Sequence, residues 1–434
     1  MLSKIKNLFG SKFGKDVLVT IIGQIAVLLT AFGLNKLLSY KLGVVGFGEF
    51  SILKRVAGLV TFFMLAGIGI AIPKYLAAFR EIDDRIKEAR FVVSGLLIIA
   101  FLSIATISII YVFRTPFVTI LLGESGYEMY VLPVLLYAFS LTLTNFVYAY
   151  YRGLDRFYKY SVSQISVQLL TLLTAFIFGG NIISLFYTWS FIIGSYGIYI
   201  CIQAWWHYYP LTRINSYKKD LKSSLYELVS FSFSRVPGEL IWFSFTVVPL
   251  IIINHKFGME TTAYFTVATQ INLLVTPFFS FVGLILLPLV SKSTVSNQFF
   301  QADQKVKRLA KIYFITGMLG IAIIELLTPL VINILFNSHF YPSIPIVRII
   351  ILAILPSAFY LLLRNPLDAA SKVPYNTINL MISFTILNVL VLLSSSILAL
   401  AISFVIGYGI LSILSILAWN KCRRNIYSTI VKSS

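Results

Sequence analysis

Arg235 and Glu239 stand four residues apart in one apolar stretch, and Lys54 and Arg55 are adjacent in another. A spacing of four places the first pair on one face of a helix, where guanidinium and carboxylate either neutralise each other or turn together toward a ligand. An ionised side chain at the centre of a bilayer costs about 2.5–3.5 kcal/mol on insertion scales, so it faces protein or a water-filled cavity. Ammonium and guanidinium groups there suit phosphate oxygens, and arginine can hold a phosphate through two parallel hydrogen bonds. Three cations against one carboxylate point to an anionic substrate, such as a phosphate or a sugar acid. Lys54 and Arg55 project about 100° apart on a helix, so at least one faces something other than a cavity, and either can snorkel toward an interface. Glu325 reads as a lone carboxyl protonated against a neighbouring helix, and Asp16 and Asn145 read as contacts near helix ends.

Enzyme chemistry finds no residues to work with. The chain has no HExxH, no glycine-rich phosphate loop, no GxSxG and no DxD pair in a loop. His207, His255 and His339 fall in different connections, and Cys201 and Cys422 match no metal or redox spacing. We therefore expect no catalytic residues, no metal and no cofactor. Without a P-loop, any transport would draw on an ion gradient (H+ or Na+) or on the gradient of the substrate itself.

The elements that must position these residues follow from hydropathy. Of 434 residues, 58% are hydrophobic and 12% charged, whereas a soluble domain is about half apolar and about a quarter charged. A membrane-spanning helix needs about 20 apolar residues. That ruler places spans near 16–38, 50–72, 91–113, 130–151, 160–178 and 182–206, then 225–253, 262–290, 310–336, 345–363, 375–395 and 398–419. The apolar run after the short basic N-terminus is too long for a signal-peptide core and reads as the first span.

A net charge of +19 would suggest nucleic acid in a soluble protein, but its distribution follows topology instead. Segments on one side carry 27 of the 35 Lys and Arg, the opposite side carries Lys36, Lys41, Arg114, Lys256 and Arg348, and the remaining three are the intramembrane cations. By the positive-inside rule the basic side is cytoplasmic, with both termini on it. We expect a multi-pass protein of a cytoplasmic-type (inner) cell membrane that does not bind nucleic acid.

The halves repeat. Lys41, Gly43 and Phe50 align with Lys256, Gly258 and Phe265 at one offset; Pro133, Tyr148 and Arg152 align with Pro345, Tyr360 and Arg364 at a nearby one. Six spans per half make the repeat parallel, about an axis along the membrane normal. The expected fold is all-α and integral to the membrane, with about twelve transmembrane helices in two parallel six-helix lobes, at 1–206 and 225–434, joined by a linker at 207–224. The first offset pairs Arg55 with Gln270, Glu239 with Gln24 and Arg235 with Thr20, so spans 1, 2, 7 and 8 would line a polar cavity. The candidate substrate-binding residues are Arg235, Lys54, Arg55, Glu239, Gln24 and Gln270.

Three further stretches carry a resemblance: Leu42-Gly-Val-Val-Gly-Phe-Gly-Glu-Phe-Ser-Ile, Leu65-Ala-Gly-Ile-Gly-Ile-Ala-Ile-Pro-Lys-Tyr-Leu and Tyr151-Arg-Gly-Leu-Asp-Arg-Phe, with Phe257-Gly-Met-Glu-Thr-Thr-Ala-Tyr-Phe-Thr-Val-Ala repeating the first. Along nearly its whole length the chain resembles the polysaccharide-transporter branch of the multidrug/oligosaccharidyl-lipid/polysaccharide exporter superfamily. The resemblance implies two lobes around a central V-shaped cavity and flipping of a polyprenyl-diphosphate-linked oligosaccharide for surface polysaccharides such as O-antigen. It implies that Lys54, Arg55 and Arg235 hold the diphosphate. Implied partners are the lipid-linked oligosaccharide, membrane lipids, a coupling ion and polysaccharide polymerase or assembly proteins. The alternatives are a multidrug or metabolite exporter of the same fold, which would tend toward a more acidic cavity, and a membrane polysaccharide polymerase. A major-facilitator sugar transporter shares the repeat, but 74–90 lacks its basic glycine-rich loop.

Overall fold

The computed structural model describes residues 12–123, 125–213, 220–295, 299–371 and 373–433, with side chains at all of these except 12–18, 125, 233–235, 273–278, 280–285, 287–289, 291–295 and 429–433. The described residues are helical, without a strand. In order, the helices are α1 (Lys12–Leu65), α2 (Ile68–Glu81), α3 (Arg85–Val112), α4 (Arg114–Leu122), α5 (Val131–Gly153), α6 (Phe157–Phe178) and α7 (Ile182–Thr212). They continue with α8 (Leu221–Val295), α9 (Phe299–Leu335), α10 (Ile344–Ile350), α11 (Ile354–Ala370), α12 (Tyr375–Leu393) and α13 (Ile397–Ser433). Hydrocarbon offers the backbone no hydrogen-bond partners, so a spanning chain must satisfy its own, and helices do that within one segment.

Among the described residues, ten helices are long and apolar enough to cross a bilayer. Their outward faces confirm the solvent. On α9, Ile315, Leu319, Ile323, Leu326 and Leu330 form an exposed stripe, with Leu326 80% accessible. That stripe would be a liability in water and is ordinary against lipid tails.

Two elements carry the chain across twice. At about 1.5 Å per residue, α1 would be far longer than a hydrocarbon core of about 30 Å. It is broken at Gly43 (φ 65°, ψ −172°), a backbone region essentially open only to glycine. Gln24, before the break, donates to Gln164, and Gln164 lines one cavity with Phe62 and Leu65, which follow it. Residues on both sides of Gly43 thus sit at one depth, and the chain has turned back. In α8 the same break falls at Gly258 (φ 82°, ψ 175°), where Trp242 and Phe265 on either side meet Tyr408 and Phe404, one turn apart on α13. Counting these arms separately gives twelve spans. The stretches at 39–49 and 254–261, read from sequence as connections, are helical up to a single glycine.

The repeat also has a physical reason. Lys41 Nζ donates to the carbonyl of Phe176 in the last turn of α6. Lys256 Nζ donates to the carbonyls of Leu392 (2.6 Å) and Ser394 (2.7 Å) at the end of α12. Each lysine caps carbonyls that have no partner within their own helix, and its charge suits the negative end of that helix.

The chain divides into two compact units, 1–240 and 241–434. In the first, α5 is the central helix, and small residues bring α7 against it. Ser140 Oγ bonds the Ser190 carbonyl at 2.9 Å, and a Cβ on Gly197 would lie 2.7 Å from that of Leu143. Phe50, Tyr137, Phe186 and Trp189 fill the space between α1, α5 and α7. In the second unit, Trp242, Phe245, Tyr360, Phe384 and Tyr408 form a comparable aromatic cluster. Glu325 is not the lone carboxyl expected: Arg348 Nε lies 3.3 Å from its Oε1, brought there from the outer end of the span read at 345–363.

Candidate functional site: a polar cavity in the first unit

Two helices set the walls of the site. On α5, Asn145, Tyr148 and Arg152 recur every three or four residues and so share a face, with Thr144 at its edge; on α6, Tyr160, Gln164, Gln168 and Thr171 do the same. These polar stripes line two adjoining cavities of about 350 and 190 Å³, which have Asn145, Tyr148 and Gln164 in common. The larger is closed by Phe62, Leu65, Gly67, Gly69 and Ile70, and by Val236 and Glu239 from the start of α8. The smaller contains Lys54, with Tyr137 and Trp189 beyond it.

The amides are held in place. Gln24 Nε2 donates to Gln164 Oε1 at 2.9 Å and to the Tyr160 hydroxyl at 3.4 Å, joining the first arm of α1 to α6. Arg152 Nη2 donates to the Gly69 carbonyl at 3.2 Å, and its guanidinium lies over the Tyr160 ring at 5.6 Å. Trp189 Nε1 donates to Thr174 Oγ1 at 3.1 Å, which fixes the indole behind the smaller cavity. The larger cavity's wall also contains a break in the helix, since Ala66 (φ 45°) and Gly67 (φ 79°) are both left-handed. Irregular backbone at membrane depth is tolerated where protein buries it or where it lines a cavity. Gly67 packs directly on α8: a Cβ there would come within 2.7 Å of the Ser232 carbonyl oxygen.

The charges in this wall are Lys54 and Arg152 against Glu239. Lys54 is half-buried, its ammonium 5.6 Å from the Phe50 ring centroid, and no described carboxylate lies within ion-pair distance of it. An aromatic face and neutral amides ease the burial of a cation without neutralising it. Amide groups, tyrosine hydroxyls and ring faces are the usual means of binding a polar, ring-shaped molecule, and the ammonium and guanidinium add affinity for an anionic group on it.

Of the residues singled out in the sequence, Gln24, Lys54 and Glu239 are gathered here, the first through its bond to Gln164. Arg55, one position on from Lys54, lines neither cavity. Gln270 is half-buried in the second unit, and the Arg235 side chain lies outside the described residues. Sequence reasoning missed Asn145, Gln164, Gln168, Tyr148 and Arg152. Asn145, read as a helix-end contact, instead lines both cavities. The available signal was the polar stripe at helical spacing in spans otherwise made of Leu, Ile, Phe and Val.

The fold is that of known transporters. An inward-facing multidrug resistance MATE family transporter of the MOP superfamily superposes with a TM-score of 0.73 at 15% identity, over 94% of this chain and 96% of that one. A variant of a Vibrio cholerae MATE transporter matches with a TM-score of 0.68 at 16% identity, over 98% of each chain. A MOP superfamily transporter from Pyrococcus furiosus, described as having a binding pocket of reverse polarity, matches with a TM-score of 0.62 at 15% identity, over 95% and 94% of the two chains. No curated protein matches by sequence. Residues 13–294, well over half of the chain, match the profile of the polysaccharide biosynthesis protein family, and the chain belongs to that family.

Proposed function

We propose that this membrane transporter is a flippase that carries a polyprenyl-diphosphate-linked oligosaccharide across the cytoplasmic membrane for surface polysaccharide assembly. One observation supports the reading most: a lysine without a described carboxylate partner stands in a cavity of amides and aromatic rings, in a chain of a polysaccharide biosynthesis family. Gln24, Asn145, Gln164 and the tyrosines would bind sugar hydroxyls, and Lys54, with Arg55 and Arg235, would hold the diphosphate. Glu239 would pair with Arg235 or take a coupling proton. The six-span lobes at 1–206 and 225–434 would exchange access around a central V-shaped cavity, with Gln270 as a further candidate substrate contact. Both termini would be cytoplasmic, and the reaction would be translocation rather than bond-making.

A multidrug exporter is the second reading, supported by the likeness in fold to MATE transporters. Deleting the gene separates the two. The flippase reading expects surface glycan to be lost while its lipid-linked precursor accumulates on the cytoplasmic side. Normal surface glycan with altered drug sensitivity would favour the exporter.

A further inference from the structure

A third cavity of the first unit, about 390 Å³, opens where the ends of α2, α5 and α7 meet the starts of α3 and α6. These are connections of the Lys/Arg-rich side, so the cavity lies where the spans leave the hydrocarbon. It shares no lining residue with the two polar cavities. On α5, Asn145, Tyr148 and Arg152 face those cavities, and Tyr150, Tyr151 and Leu154 face this one. At about 100° per residue the two sets occupy opposite sides of the helix.

Its rim carries Arg80, Arg85, Arg156 and Lys159, and its carboxylate is Glu88. That carboxylate is already engaged: Tyr208 donates to its Oε1 at 2.5 Å, and Arg85 Nη1 lies 3.5 Å from Oε2. Arg80 is spent in part on the Leu154 carbonyl, at 3.0 Å. Arg156 and Lys159 are exposed, and neither the guanidinium nor the ammonium has a hydrogen-bond or ion-pair partner among the described residues. The buried part of the lining is mixed: Tyr150, Leu154, Ile200 and Ala204 stand beside the Glu88–Tyr208 pair.

We propose that this pocket binds a phosphate group, held by Arg156 and Lys159 with Arg80 behind them. Basic pockets between spanning helices at a membrane surface are suited to anionic head groups. Leu154, Ile200 and Ala204 in that lining could take the glycerol and first methylenes of an amphiphile whose phosphate sits at the basic rim. The site is independent of whatever the polar cavities carry, since it lies on the far side of α5.

The test uses the purified full-length chain and two probes read by native mass spectrometry: phosphatidylglycerol titrated into phosphatidylcholine nanodiscs, and inorganic phosphate added in detergent. The Arg156→Gln/Lys159→Gln double variant should bind phosphatidylglycerol about 30-fold more weakly, at about 1 kcal/mol per surface cation. The charge-preserving Arg156→Lys/Lys159→Arg variant should retain it. Removing two exposed cations elsewhere, by Arg308→Gln/Lys311→Gln, should leave it unchanged. Loss of inorganic phosphate binding alone in the glutamine variant would also support the site, with free phosphate as its ligand. Equal binding of both probes by wild type and the Arg156/Lys159 glutamine variant would overturn the proposal.

Discussion

A lysine inside a helix bundle costs about 2.5–3.5 kcal/mol on insertion scales, and Lys54 meets that cost without a described carboxylate beside it. A charge kept under those conditions is expected to serve the ligand rather than the fold. Lys54→Met should therefore melt no lower than wild type while transport falls about 10- to 100-fold, the worth of a charged hydrogen bond; thermal unfolding in detergent beside a transport assay checks both halves. Gln164→Leu should act in the opposite sense. It leaves the Gln24 amide without its 2.9 Å partner and should destabilise the first unit by about 1–3 kcal/mol. For Arg235, Arg235→Ala should abolish flipping and Arg235→Lys should retain part of it, since a lysine cannot reproduce bidentate phosphate binding. Rescue of abundance and transport by adding Glu239→Ala would instead make the arginine a neutralising partner. Charges in apolar runs are conspicuous, which is why Lys54 and Glu239 were legible from sequence, and Gln24 was reached through its alignment with Glu239 in the repeat. Asn145, Gln164 and Gln168 were not, because single amides in membrane helices are common and only the helical face they share identifies them. The Glu325–Arg348 pair was invisible because the fold, and not the spacing, brings its members together.

Between spans the decisive positions are single residues. Gly43 and Gly258 turn α1 and α8 back through backbone conformations that side chains avoid, and no atom beyond the neighbouring residues crowds a Cβ at either. The penalty for Gly43→Ala or Gly258→Ala is then backbone strain alone, about 1–3 kcal/mol, and should appear as a lower melting temperature with no change in expression topology. Lys256→Met should destabilise as well, by leaving the Leu392 and Ser394 carbonyls to the lipid interface. The repeat at this scale was readable because lysine and glycine stand out in leucine-rich sequence. Its meaning was not, because a lysine that caps another helix and a glycine that replaces a loop look, in sequence, like an ordinary polar connection.

For the whole molecule, hydropathy identified the membrane and the spans, since the bilayer sets the length and apolarity of each helix that crosses it. The substrate is a finer matter, carried by the cavity chemistry and the family. If the basic side is cytoplasmic, a cysteine placed at 256 should react with an impermeant thiol reagent in intact cells. The central claim, that the chain flips a lipid-linked oligosaccharide, is tested most directly with the purified protein in liposomes loaded with a polyprenyl-diphosphate oligosaccharide. The readout is its exposure to an external glycosidase. Exposure should rise well above that of protein-free liposomes and return to their level with Lys54→Met. Exposure no faster than in protein-free liposomes, in preparations that do transport organic cations, would contradict that claim.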